Sequence, residues 1–175
     1  MCLRVLKSTP NLLNLNVSTS RFERNTTFVQ AVLLTTLLAG SLDALSAIIQ
    51  FTANGNHQPA RIFRYIASGI FGRQALSGGT PMVVYGVLFH YCFAFIFTLT
   101  FFLCYRHIPF LSARPVIAGI GYGLAVWLVM NLLVVPLSRI GPRPLRLWPS
   151  LIGAGIIVIA IGLPVSLLAK RWLRG

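Results

Sequence analysis

A chain of 175 residues carries fifteen Lys and Arg against two acids, a net charge of +13. With 56% hydrophobic residues, 10% charged residues and a mean hydropathy of +0.79, it has too little polar surface for a soluble domain and too much apolar run for a disordered one. The basic residues fall in tails and loops between apolar runs rather than on one face, which argues against a nucleic-acid partner and for contact with a lipid bilayer.

The first 27 residues read as a mobile basic tail. Leu3 to Val17 is interrupted by Arg4, Lys7, Pro10 and asparagines, so it has no clean apolar core of the secretory-signal kind. Cys2 follows no lipoprotein-type segment, and the sequons at Asn16 and Asn25 read as chance matches in an Asn/Ser/Thr-rich stretch. Residues 28–175 read as one membrane domain. Its apolar runs near 28–51, 82–105, 115–138 and 149–169 each reach the roughly 20 residues that cross about 30 Å of hydrocarbon.

The first run holds Asp43, and a carboxylate at that depth costs about 3 kcal/mol even on lenient insertion scales, so it should face protein or trapped water and have a partner. After it, from Pro59 to about Gly72, helical spacing sets Arg61, Arg64, Tyr65 and Ser68 on one side and Ile62, Phe63, Ile66 and Ile70 on the other. A short amphipathic helix lying in the membrane interface is predicted, with Arg61, Arg64 and Arg73 as basic contacts to headgroups. Anchoring to lipid is its leading reading and a gate or lid the second. Gly69, Gly72, Ser77, Gly78 and Gly79 then let the chain turn back.

Thr80 and Pro81 read as N-cap and first residue of the second span, which carries His90. The third carries Asn131, with Pro136 loosening its end. Trp148 and Pro149 open the fourth, Pro164 should bend it, and Trp172 beside Lys170 and Arg171 suits headgroup depth. Close packing is expected at Gly40 and Ala44, at Gly119 and Gly123, and at Gly153 and Gly155. The fold class is all-α, a four-transmembrane-helix bundle with an interfacial amphipathic helix between the first two spans. Nine basic residues on the side of the termini against six on the other put both ends in the cytoplasm.

Counted from the span ends, Asp43, His90 and Asn131 all lie about 11 to 12 Å below the surface reached by the Arg61 and Arg139 loops. In contact, the carboxylate and imidazole would titrate as one unit, able to carry a proton or hold a cationic ligand with Asn131 orienting either. The structural alternative is that the three satisfy one another and lock helix register, for about 0.6 to 2 kcal/mol each.

Residue inventory removes several enzyme classes. Two acids, one of them Glu23 in the tail, cannot build a paired-carboxylate site or a two-metal cage. Cys2, Cys92 and Cys104 lack metal spacing, and His57 and His107 fall in loops. A serine hydrolase would need Ser41 or Ser46 beside His90, and no Gly-x-Ser-x-Gly elbow occurs. No catalytic activity, cofactor or metal is expected.

The runs GSLDALSAIIQF, RIFRYIASGIFGRQALSGGTPMVVYGVLFHYCFAF, RPVIAGIGYGLAVWLVMNLLVVPLS and GLPVSLLAKR together resemble an uncharacterised family of small bacterial inner-membrane proteins, with a looser likeness to the YagU-like family. The resemblance runs from about Gly40 onward. It implies a bacterial cytoplasmic membrane and four spans, and marks Asp43, His90, Asn131 and Pro136 as motif positions. Where that pattern carries a further histidine before Gly-Leu-Pro, this chain has the apolar run Ile156 to Ile161, which argues against a relay into the last helix. Two functions follow as expectations. One is proton-linked or small-solute transport, in a homodimer or larger assembly because four helices are few for a permeation path. The other is a structural or partner-binding membrane subunit without transport or catalysis.

Overall fold

The computed structural model describes residues 27–142 and 146–173. The expected tail, with Cys2, both sequons and Glu23, lies outside the described residues, as do Arg143 and Arg174. The described chain is helical, and four helices are long and apolar enough to cross a membrane: Phe28–Ala53, Thr80–His107, Pro115–Leu137 and Leu147–Leu173.

Helix α1 (Phe28–Ala53) is the first span. Its start is fixed by a reciprocal capping box in which Gln30 N donates to Thr27 Oγ1 at 3.3 Å and Thr27 N donates to Gln30 Oε1 at 3.0 Å. Helix α2 (Ala60–Phe71) is the short amphipathic helix between the first two spans, stopped by Gly72 at φ 76°. A 3-10 turn over Arg73–Leu76 leads into α3 (Thr80–His107), the second span. There Gly79, not Thr80, is the N-cap, and Thr80 already lies in the helix; Pro81 sits in the first turn, where its missing N–H leaves no bond unmade.

After a five-residue helix α4 (Pro109–Ala113), the third span is built from α5 (Pro115–Val129), a π turn over Met130–Val134 and α6 (Val135–Leu137). The fourth repeats that plan, with α7 (Leu147–Ile157), a π turn over Val158–Gly162 and α8 (Leu163–Leu173). In both spans the π turn occupies the five residues ending two before a proline, Pro136 or Pro164. The proline has no N–H for the carbonyl four residues back and its ring crowds that carbonyl. The helix opens instead, and the residue just before the proline bonds one step further back: Val135 N–H to Met130 O, Leu163 N–H to Val158 O. The expected bend at Pro164 is thus a π turn.

The four spans alternate in direction. Small residues decide which approach most closely. A Cβ on Gly162 would stand 2.2 Å from the Gly119 carbonyl oxygen, and one on Gly123 would stand 2.6 Å from Val158 Cα, so the third and fourth spans touch backbone to backbone. Gly155, expected to serve the same purpose, has nothing within 4 Å of its Cβ direction, while Gly153 faces the Trp127 ring. Between the second and third spans no such pair exists. Bulky side chains hold them apart, with the Tyr122 ring 4.7 Å from that of Phe101 and its hydroxyl donating to Phe97 O.

The two ends of the bundle differ. Where Phe28, Tyr105, Ala118 and Ala169 meet, Val32, Phe101, Phe102 and Val165 are fully enclosed, and Ser166 Oγ donates to Pro115 O at 2.7 Å. Thr35 and Thr36 are buried there with hydroxyls that make no hydrogen bond. At the other end α2 crosses α3. The Phe63 carbonyl lies against Gly86, where a Cβ would stand 1.9 Å away, and Phe71 packs on Tyr85 and Phe89. Ala67 and Ser68 are buried, so the side predicted to be polar is partly turned into protein, while Ile70 is exposed. The Ser68 hydroxyl donates to Tyr65 O because no solvent reaches it.

Candidate functional site

On α1, Gly40 lies one turn before Asp43. A Cβ there would come within 3.1 Å of the Tyr91 ring, so glycine lets α3 approach and bring its polar residues to α1. His90 Nε2 donates to Gly40 O at 2.9 Å; a carbonyl can only accept, so that nitrogen carries a proton. Next to it the Ser41 and Tyr91 hydroxyls share a hydrogen bond of 2.8 Å. Ser46 Oγ donates to Leu42 O. Neither serine bonds His90, and the hydrolase arrangement considered from the sequence is not formed.

Asn131 sits inside the π turn of the third span, where its Nδ2 donates to Trp127 O at 2.9 Å and its Oδ1 remains an acceptor. Asp43, His90 and Asn131 line one cavity of about 250 Å³ at the centre of the bundle. Both π turns supply its wall, through Met130 and Asn131 on one span and Ile161 on the other, and Ile66 of α2 helps cover it. Among the described residues no hydrogen bond or ion pair joins any two of the three. His90 and Asn131 are each held by a backbone carbonyl, whereas Asp43, expected to have a partner, has no hydrogen bond among the described residues because the nearby donors are turned to backbone carbonyls. The register of α1 against α3 is set by His90 with Gly40 and by Ser41 with Tyr91, rather than by a mutually satisfied trio.

Asp43 and Asn131 also line a second, open groove of about 440 Å³. Its α1 wall is Asp43, Ala47 and Gln50, spaced i, i+4 and i+7 along one helix face. Ser150 and Gly153 form the facing wall on the fourth span, and Arg146 stands at the mouth. The carboxylate therefore lies at the junction of the central cavity and a groove that leads out of the bundle. A third space of about 680 Å³ shares Ala47 and Gln50 and extends to Asn54, Asn56 and Arg61.

The basic residues predicted at the interface are dispersed. Arg61 is exposed and lines that third space. Arg64 is half-buried, its Nε enclosed without a hydrogen bond, and Arg73 is exposed on the 3-10 turn. Gln50, Ser150 and Arg146 were not singled out from the sequence. The signal for Gln50 was present in its seven-residue offset from Asp43. For Ser150 and Arg146 it was absent, because the facing of the fourth span is set by its glycine contacts with the third. No protein-family model, curated protein or solved structure matches the chain.

Proposed function

We propose that this multi-pass membrane protein carries out proton-linked transport of a small solute, with Asp43 as the proton-carrying group, His90 as its electrostatic neighbour and Asn131 as an orienting hydrogen-bond group. The observation that supports this most directly is the position of Asp43: it borders both the central cavity and the open groove, and among the described residues no hydrogen bond occupies its carboxylate. Ionisable groups facing water-filled space inside a membrane bundle are the usual stations of proton and solute paths. A carboxylate used only to fasten helices would be expected to hold a donor from a neighbouring helix, which weighs against the structural-subunit reading. The reading includes a bacterial cytoplasmic membrane, both termini in the cytoplasm and a homodimer or larger assembly. It assigns no catalytic step.

Purified protein in phosphatidylethanolamine and phosphatidylglycerol vesicles, with a pH-sensitive dye inside and a potassium diffusion potential imposed by valinomycin, tests it. Wild-type vesicles should acidify, and Asp43→Asn should return uptake to that of protein-free vesicles. Equal uptake by the two proteins would sink the proposal.

A further inference from the structure

The charge layout of the open groove points to its ligand. Among the residues that line it there is one acid, Asp43, at the inner end with Asn131, one base, Arg146, at the mouth with Gln50, and Ser150 as a further neutral hydrogen-bonding group. No ion pair joins Asp43 to Arg146 among the described residues, so each charge is available to a third party. Seven residues separate Asp43 from Gln50, a wall about 10 Å long, and on the fourth span the lining runs from Arg146 to Ile157, a wall about 16 Å long. A volume of about 440 Å³ is that of a small-molecule site.

A free anion entering this groove would be held at Arg146 and repelled by Asp43. A simple cation would be drawn by Asp43 but must first pass Arg146. A molecule with a cationic head and an anionic tail meets both charges with the favourable sign, head inward. The length of the walls disfavours a ligand whose two charges share one carbon. We propose that the groove binds a short zwitterion with its ammonium and carboxylate at opposite ends, the ammonium on Asp43 and Asn131 Oδ1 and the carboxylate on Arg146. This rests on the transport reading above and names the solute class it serves.

Tritiated 5-aminopentanoate binding to the full chain in detergent is the probe, with pentylamine and pentanoate as competitors of the same length carrying one charge each. The zwitterion should bind at least about tenfold more tightly than either, the scale expected for a second enclosed charge contact. Arg146→Gln should weaken 5-aminopentanoate about tenfold while leaving pentylamine as tight or tighter, because a repulsive charge is removed. Asp43→Asn should abolish binding of both amines. A folded wild-type protein, judged by its melting curve, that fails to bind 5-aminopentanoate overturns the inference, as does pentylamine binding equally well. Proton uptake by vesicles without solute separates the two proposals: Asp43-dependent uptake without zwitterion binding leaves the transport reading standing and removes only the solute class.

Discussion

A carboxylate without a hydrogen-bond partner inside an apolar bundle is kept at a cost to stability, and among the described residues Asp43 is such a group. Asp43→Asn preserves the shape and removes the charge, so its melting temperature in detergent should equal or exceed that of the wild type. A loss of about 2 kcal/mol, the upper range for an interhelical polar contact, would instead show that Asp43 fastens helices. Glycines provide a second contrast. Gly162→Ala would drive a Cβ into the Gly119 carbonyl and the Gly123 Cα, both backbone, and should cost about 1 to 3 kcal/mol in reversible unfolding. Gly155→Ala meets open space and should be neutral or stabilise by about 0.5 to 1 kcal/mol. Asp43 was legible in the sequence because one acid in an apolar run has few physical explanations. Gly162 was not: in Gly-Leu-Pro the proline dominates the reading, and the glycine's part depends on a partner helix that sequence spacing does not specify.

At the level of the element, the paired π turns tie two prolines to the site. A π turn carries one more residue than an α turn, so it re-aims the side chains within it relative to those beyond by up to about 100°. Asn131 owes its direction to the turn that Pro136 imposes. Pro136→Ala restores an N–H and should leave the melting temperature unchanged or higher, since proline inside a helix is about 3 kcal/mol worse than alanine. The same change should weaken 5-aminopentanoate binding about tenfold as Asn131 swings away, the cost of one charge-assisted hydrogen bond. The prolines were visible in the sequence as bends, but the identical offset of the two π turns was not, because hydropathy carries no information on which carbonyl a given amide reaches. Helix α2 illustrates the same division. Its amphipathic spacing announced a helix, while the burial of Ser68 follows from Gly86, twenty-five residues after Arg61, admitting the Phe63 backbone. With all three cysteines removed by Cys2→Ser, Cys92→Ser and Cys104→Ser, Ala67→Cys should resist a water-soluble maleimide and Arg61→Cys should react; labelling of both at equal rate would mean that α2 is not packed on α3.

Across the whole molecule the asymmetry of the ends matters more than any single contact. The groove opens beside Gln50 and Arg146, while beyond Asp43 a packed layer of Phe101, Phe102 and Val165 separates it from another space of about 440 Å³ at the other end, lined by Phe28, Tyr105 and Trp172. The number of spans was readable from run length and hydropathy alone, because a helix in lipid has few other options. Where the packed layer lies was not readable, since the spans are apolar along their length and the difference lies in how side chains interlock. Substituted cysteines at Asn54 and Arg106, on opposite ends and in the same cysteine-free background, should under the proposed orientation label from the periplasmic and the cytoplasmic face respectively; the reverse pattern would overturn that proposal. Thr36, Asp43 and Gln50 recur every seventh residue, so the face of α1 that bears the carboxylate continues into the packed layer. There the Thr35 and Thr36 hydroxyls are cut off from water and unbonded, a penalty of about 1 to 3 kcal/mol each that rehydration would relieve. Thr35→Val with Thr36→Val removes that penalty at nearly constant shape, and should raise the melting temperature while slowing proton uptake. The layer beyond Asp43 is therefore under-stabilised by its own chemistry, and under the transport reading proposed above it is the part of the bundle that costs least to hydrate.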